Sequence, residues 1–167
     1  MERVVKPPLA AKPPAGDIYD ARTYEPRKSV GHLLNRVRTA IFTALDAELA
    51  ADANLAAFEV SAAQFVVIAS LALGEADSAS QLCKGISYDA GAMTRMIDRL
   101  ESKGLIRRRR DADDRRLVNL ELTEQGRNAF PPMRLCAMRV LNRFLRGFSP
   151  GDARQLESLL QRMLENA

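Results

Sequence analysis

The chain has 167 residues, of which 47% are hydrophobic and 28% are charged, so it can bury a core within one domain. Its net charge of +4 is mild, and its two cysteines and single histidine exclude a disulfide scaffold or a zinc cluster made by one chain. The longest uncharged run, residues 60–74, is too short to span a bilayer, and the N-terminus lacks a signal-peptide core. We therefore expect a cytoplasmic protein, mainly helical, with no membrane partner.

Residues 1–28 differ in composition from the rest of the chain. They contain five of the eight prolines and few large apolar side chains. This composition predicts a flexible N-terminal tail or an extended arm. Both an arm that wraps a partner subunit and a tail without a role fit the pattern.

A long first helix is predicted over residues 29–53. Apolar residues recur there at four-residue intervals, which places them on one face of a helix. The series consists of Leu33, Val37, Ile41, Leu45 and Leu49.

Three further helices are marked by polar caps at their starts and glycines at their ends. A serine followed three residues later by glutamine is the spacing of a capping box, and it occurs at 61–64 and at 78–81. The fourth helix is predicted over about residues 88–103, with Ser87 as its cap. The glycines that end these three helices are Gly74, Gly85 and Gly104.

The hydrophobic period then changes from helical to alternating, which predicts a β-hairpin. Leu105 and Ile106 start the first strand, and residues 117–122 form the second. Arginines occupy 107–110 and 115–116, on either side of a polar turn. Such a cluster on a nearly neutral chain indicates a polyanion bound at one place.

Two C-terminal helices complete the prediction, over residues 124–167. Thr123 caps the fifth helix, in which Pro131 and Pro132 should cause a kink or a break. Ser149 and Pro150 start the last helix. Both C-terminal helices carry more apolar residues at helical spacing than one small lobe can bury.

Two helices joined by a tight turn and followed by a basic hairpin form the pattern of a winged helix-turn-helix. The first turns of the second helix must approach base edges in the major groove, and Ala90, Gly91 and Thr94 are small enough to do so. Arg95 can reach a guanine edge or a phosphate, and Arg99 is better placed for the DNA backbone. Arginines of the hairpin can enter the adjacent minor groove.

Over roughly residues 30–167 the sequence resembles the MarR-type transcriptional regulators. The resemblance rests on the wing at 114–126, on the recognition helix and first wing strand at 91–106, and on the helix start at 61–65. It implies that Arg116 is the wing-tip arginine of the minor groove, oriented by Asp114. The residues expected to face DNA are Ser80, Gln81, Ser87, Asp89, Ala90, Gly91, Thr94, Arg95, Arg99, Asp114, Arg115 and Arg116.

The resemblance also implies an architecture of about six helices and a β-hairpin wing. A DNA-binding lobe would span about residues 60–123, and helices at 29–53 and 124–167 would join two subunits. A two-fold homodimer predicts a pseudo-palindromic operator in double-stranded DNA. The expected function is a repressor, with no enzymatic activity and no cofactor.

Many proteins of this type lose DNA affinity when a small aromatic, often anionic, ligand binds between their two lobes. The candidate effector residues here are His32, Arg36, Phe65 and Arg108. A redox-responsive repressor that uses Cys83 or Cys136 is an alternative within the class. A winged-helix module that binds protein and not DNA is the alternative from another class.

Overall fold

The computed structural model describes residues 17–86, 88–110 and 118–166. Ser87 and the hairpin tip, with the predicted DNA-facing residues Asp114, Arg115 and Arg116, lie outside these ranges, as does the tail over 1–16. Among the described helices, none has the length and hydropathy needed to cross a membrane.

Six α-helices and one antiparallel hairpin make up most of the described residues, which confirms the mainly helical fold class. The helices are α1 Val30–Ala51, α2 Ala62–Ala72, α3 Ala79–Ile86, α4 Ala90–Ser102, α5 Glu124–Phe144 and α6 Pro150–Glu165. The strands are β1 Ile106–Arg110 and β2 Val118–Leu122. Short 3-10 helices occur at Pro26–Lys28 and Ala56–Phe58.

The chain divides into two compact units, of which the first comprises residues up to Ala40. Within it, Val30 N donates a 2.8 Å hydrogen bond to the Tyr19 hydroxyl, at the start of α1. The rings of Tyr19 and Tyr24 pack edge to face with centroids 5.1 Å apart. The Ser29 hydroxyl donates to Pro26 O at 2.7 Å. The described stretch before α1 therefore has local structure, where the sequence predicted a flexible tail or an extended arm through residue 28.

The second unit, residues 41–167, holds the core that supports the winged helix-turn-helix. Here α2 packs against α3, α5 and β2, while α4 packs against α3 and β1. The capping box of Ser61 and Gln64 starts α2, as predicted. Each large apolar side chain that these contacts remove from water contributes roughly 1.5–3 kcal/mol. The fully buried ones include Ile68, Leu82, Met93, Ile97, Leu100, Leu105 and Met133.

Helix α4, which the sequence predicts to be the recognition helix, begins two residues later than predicted. Its cap is Asp89 and not Ser87, and the Asp89 carboxylate accepts a 2.8 Å hydrogen bond from Ala92 N. Two polar residues near a helix start compete for the capping position, and backbone geometry selects between them. The predicted end holds, because Gly104 adopts a left-handed φ of 68°.

The hairpin pairs Ile106 with Leu122 and continues in register to Arg110 with Val118. Leu120 and Leu122 are buried, but Val118 is 42% exposed, so only part of the predicted apolar face of β2 reaches the core.

Helix α5 runs through Pro131 and Pro132 as one helix, where the sequence predicted a kink or a break. Each proline removes one N–H donor, which weakens but does not prohibit a helix that is held by packing. Buried side chains on both sides of the prolines supply that packing, namely Ala129, Met133, Cys136 and Val140.

The start of α5 lies directly against the junction of α4 and β1. Thr123 N donates to Leu105 O at 3.1 Å, and the Thr123 hydroxyl donates to Gly104 O at 2.6 Å. Gly126 N donates to the same hydroxyl at 3.0 Å. A Cβ on Gly126 would lie only 2.0 Å from Leu105 O, so only glycine fits this approach.

Candidate nucleic-acid interface

Helix α4 separates an apolar face from a face of small and polar residues. Met93, Ile97 and Leu100 are buried, whereas Gly91, Thr94 and their neighbours on the other face are exposed. The Thr94 hydroxyl donates to Ala90 O at 2.8 Å, so its oxygen can still accept a hydrogen bond. This exposed first turn has the dimensions and chemistry of a helix that enters the major groove.

The Arg95 guanidinium lies back over the first turn of α4. A Cβ placed on Gly91 would be 3.5 Å from Arg95 Nη1, which locates the cation at the N-terminal end of the helix. The sequence predicts that this end faces base edges. Gly91 thus leaves room for the arginine. The structure brings Ala90, Gly91, Thr94 and Arg95 together on one exposed surface.

A row of three cations follows α4 on the side that faces the start of α2. Arg95, Arg99 and Lys103 are spaced four residues apart, so they share one face of the helix. They line a cavity of about 430 Å³ together with Tyr88 and Ser61. This row continues along α4 from its exposed first turn and forms a cationic surface of the kind that can face a phosphate backbone.

Lys103 was not among the predicted DNA-facing residues. Its Nζ donates to Glu59 O at 2.6 Å and lies 3.4 Å from Gln64 Oε1. Burial lowers the pKa of this ammonium group, with the Glu59 carboxylate opposing the shift. The sequence signal for Lys103 is its position four residues after Arg99, which itself lies four residues after Arg95.

Helix α3 presents Ser80 and Gln81 at its exposed start. Gln81 Oε1 accepts a 2.7 Å hydrogen bond from Asp77 N, so its oxygen fixes the turn that leads into the helix. The predicted partner was the backbone of Ser78, one residue later. The amide nitrogen of Gln81 remains on the surface as a hydrogen-bond donor.

The run of arginines in β1 is largely neutralised by acidic residues of the same chain. Arg107 and Arg109 both reach Glu121 on β2, at 2.8 Å and 3.3 Å. The hydrogen bond from Arg107 is the main reason that the pKa of the Glu121 carboxyl is lowered. In its described part, the predicted cationic cluster therefore consists largely of arginines that are ion-paired with β2 or with α4.

The predicted effector residues are distributed over both units. His32 is half-buried and Arg36 exposed, one turn apart on α1 in the N-terminal unit. In the second unit, Phe65 of α2 stacks on Phe130 of α5 with centroids 6.5 Å apart, packed against the core. Arg108 is ion-paired with Asp98 and Glu101, which leaves it little charge to offer an anionic ligand.

The environment of Cys136 argues against a role as a redox switch. Its side chain is fully buried, and burial raises the pKa of the thiol, so little reactive thiolate forms. Sγ lies 3.1 Å from Arg139 Nη2, and Arg139 also pairs with Glu48 at 2.6 Å. Cys136 thus packs inside the contact of α5 with the end of α1. Cys83 is half-buried on α3.

Comparison with known proteins agrees with this geometry. The sequence profile described as "MarR family" matches residues 60–118, which include the helix-turn-helix and β1. The transcriptional repressor NicR of Pseudomonas putida is 28% identical over 156 residues, covering 92% of this chain and 93% of NicR. The multiple antibiotic resistance protein MarR of Escherichia coli is 39% identical over 72 residues, covering 43% of this chain and only half of MarR.

Two solved structures share the fold and have similar sequence identity to this chain. A cysteine-to-serine variant of E. coli MarR, solved with operator DNA, has a TM-score of 0.69 at 28% identity and covers 81% of this chain and 93% of that one. BpsR of Bordetella bronchiseptica, whose DNA binding is described as regulated by 6-hydroxynicotinic acid, has a TM-score of 0.71 at 27% identity, over 84% and 96%. With the helix-turn-helix and the hairpin in place, residues 60–118 of the chain match the MarR family, whose members are winged-helix transcriptional regulators that bind DNA and are not enzymes.

Proposed function

We propose that this protein is a homodimeric, sequence-specific repressor that binds double-stranded DNA and is released by a small aromatic carboxylate. The observation that carries the DNA-binding part is the first turn of α4, where small residues and Arg95 are exposed together. The row of Arg95, Arg99 and Lys103 adds charge for the backbone of the same duplex. In the proposal the hairpin tip, with Arg115 and Arg116, enters the minor groove.

The proposed homodimer rests on apolar side chains that the second unit leaves exposed. Four of them recur at three-residue steps along α5, and others follow on α6, a helix with no buried residue. Large apolar side chains that stay exposed in this number favour a protein interface. The residues are Leu135, Met138, Leu141, Phe144, Phe148, Leu156, Leu159, Met163 and Leu164. An isologous dimer would present two copies of α4 to a two-fold operator.

The DNA-binding proposal is tested by selection of genomic fragments. The protein is freed of bound small molecules by unfolding and refolding, then incubated with fragments of its own genome, and the retained DNA is sequenced. We expect one inverted repeat, and the affinity for it should fall steeply with salt because bound phosphates release counterions. Retention of no sequence above background would overturn the proposal and favour a winged module that binds protein.

A cavity in the second unit suits the proposed effector. It measures about 580 Å³ and lies between the end of α2, strand β2 and α5, with Phe130 and Arg127 in its lining. An aromatic ring can pack on Phe130, and a carboxylate can pair with Arg127, whose Nη1 already donates to Leu122 O at 2.7 Å. Phe65 supports Phe130 from behind.

Occupancy of this cavity would act on the wing. Leu120 N on β2 donates a 2.6 Å hydrogen bond to Asp77 O, just before α3, and both residues line the cavity. A ligand inserted there displaces β2 from this segment and so changes the geometry of wing and α3. DNA affinity falls when the ligand binds the altered geometry more tightly than the DNA-competent one.

The effector is tested on the selected operator by fluorescence anisotropy. We expect 6-hydroxynicotinic acid or benzoate to release the DNA and neutral nicotinamide to leave it bound. Arg127→Gln should raise the concentration needed for release by about tenfold, as expected for loss of a charge-assisted hydrogen bond. Arg134→Gln, another exposed arginine of α5, is the matched control and should change nothing. If no aromatic acid releases the operator, the effector proposal fails and DNA binding stands.

A further inference from the structure

Arg108 joins the hairpin to the recognition helix by several bonds at once. Its Nη2 donates to Asp98 Oδ1 at 2.5 Å, and its Nη1 donates to Glu101 Oε2. Its backbone N donates to Glu101 Oε1 at 3.1 Å. Glu101 therefore receives both the main chain and the side chain of one β1 residue. Asp98 and Glu101 lie on α4 three residues apart, so the guanidinium spans one turn of that helix.

The electrostatics of this cluster do not suit a phosphate ligand. Two carboxylates face one guanidinium, so the local sum of charge is negative although Arg108 stands within a run of four arginines. The Arg108 side chain is also only 33% exposed. The hydrogen bond to Asp98 is the main cause that raises the pKa of Arg108.

We propose that Arg108 is a positioning residue that fixes the wing against α4 and does not itself contact DNA. A winged helix reads two grooves at once, so the spacing of its recognition helix and its hairpin must match the duplex. The Arg108 cluster links the hairpin to the recognition helix by direct hydrogen bonds between charged groups. The inference rests on the proposed DNA binding and assigns to Arg108 a part in its specificity.

The salt dependence of DNA binding distinguishes positioning from phosphate contact. Arg108→Ala should weaken operator binding by about tenfold, a typical coupling for a broken network, while the slope of log affinity against log salt stays unchanged. Binding to random DNA should change little. Arg110→Ala is the matched control on the same strand, at its exposed end. If Arg110 binds a phosphate, its replacement by alanine should reduce the magnitude of the salt slope by about 0.9 per subunit.

Glu101→Ala gives a test in which the two explanations predict opposite signs. Removal of an acidic side chain near DNA strengthens binding if charge alone matters. If Glu101 holds Arg108, the same change weakens operator binding, and the double variant Glu101→Ala with Arg108→Ala is no weaker than either single one. Glu75→Ala, an exposed acid in the loop before α3, measures the general effect of charge.

A readout without DNA separates this proposal from the proposed function. In the free protein, the amide protons of β1 and β2 should exchange faster in Arg108→Ala than in the original chain, with an unchanged rate in α5. A reduced salt slope for Arg108→Ala, tighter binding by Glu101→Ala, or unchanged hairpin exchange would each overturn the proposal. If the unaltered protein binds no DNA but hairpin exchange rises as expected, the proposed function fails while the mechanical role of Arg108 remains.

Discussion

Replacement of Gly126 by alanine should destabilise the second unit by about 3 kcal/mol, near the upper end of overpacking effects. The new Cβ would lie 2.0 Å from Leu105 O and 3.0 Å from Leu105 C, atoms of a backbone that cannot rotate away. Relief requires α5 to move from the junction of α4 and β1, which breaks the bonds of Thr123 to Gly104 O and Leu105 O. Urea denaturation followed by circular dichroism measures the loss.

Gly151→Ala is the matched control for this prediction. Gly151 also lies in the first turn of a helix, but its nearest neighbour would be the Ser149 hydroxyl at 3.5 Å, an ordinary contact. Alanine there should stabilise the helix by up to about 1 kcal/mol, because glycine is the poorer helix former. Equal changes in the free energy of unfolding for the two variants would show that the close approach of Gly126 to Leu105 does not affect stability.

Arg95→Ala should relax the sequence preference of the protein at one position of each operator half-site. The guanidinium lies over the first turn of α4, where a bidentate contact to guanine contributes about 1–3 kcal/mol of discrimination. Operator affinity should therefore fall by up to about a hundredfold, while affinity for random DNA falls far less. Competition between the operator and single-base variants of it measures the preference.

Arg99→Ala is the control for this prediction. Arg99 lies one turn further along α4 in the same cationic row, where a phosphate contact is expected. Its removal should weaken operator and random DNA by a similar factor and reduce the salt slope. A uniform loss for Arg95→Ala as well would remove the assignment of Arg95 to a base edge.

The sequence predicted the local structure well where one residue decides it. The capping box at Ser61 and the left-handed glycines at 74 and 104 were confirmed, because caps and positive φ angles depend on residue type. The choice of Asp89 over Ser87 was missed, because both residues can cap and the path of the backbone decides between them.

The charges of the wing show where sequence reasoning stops. Four adjacent arginines predicted a cationic cluster that binds a polyanion. Their acidic partners lie on β2 and α4, so the sequence alone did not reveal the pairing. The strand register places Glu121 beside Arg107 and Arg109, and the packing of β1 on α4 places Asp98 and Glu101 beside Arg108. Pairings across strands and between elements depend on tertiary structure, which composition does not contain.

Internal pairing of these arginines has a consequence for how quickly the protein finds DNA. Charges that are matched within a few ångströms cancel at longer range, and salt confines the remaining field to about 8 Å at physiological ionic strength. Long-range attraction that speeds encounter with a polyanion is therefore weak for the paired part of β1. Weak steering also reduces the time spent on unrelated sequences. Selectivity for an operator then depends mainly on how slowly the correctly docked complex dissociates.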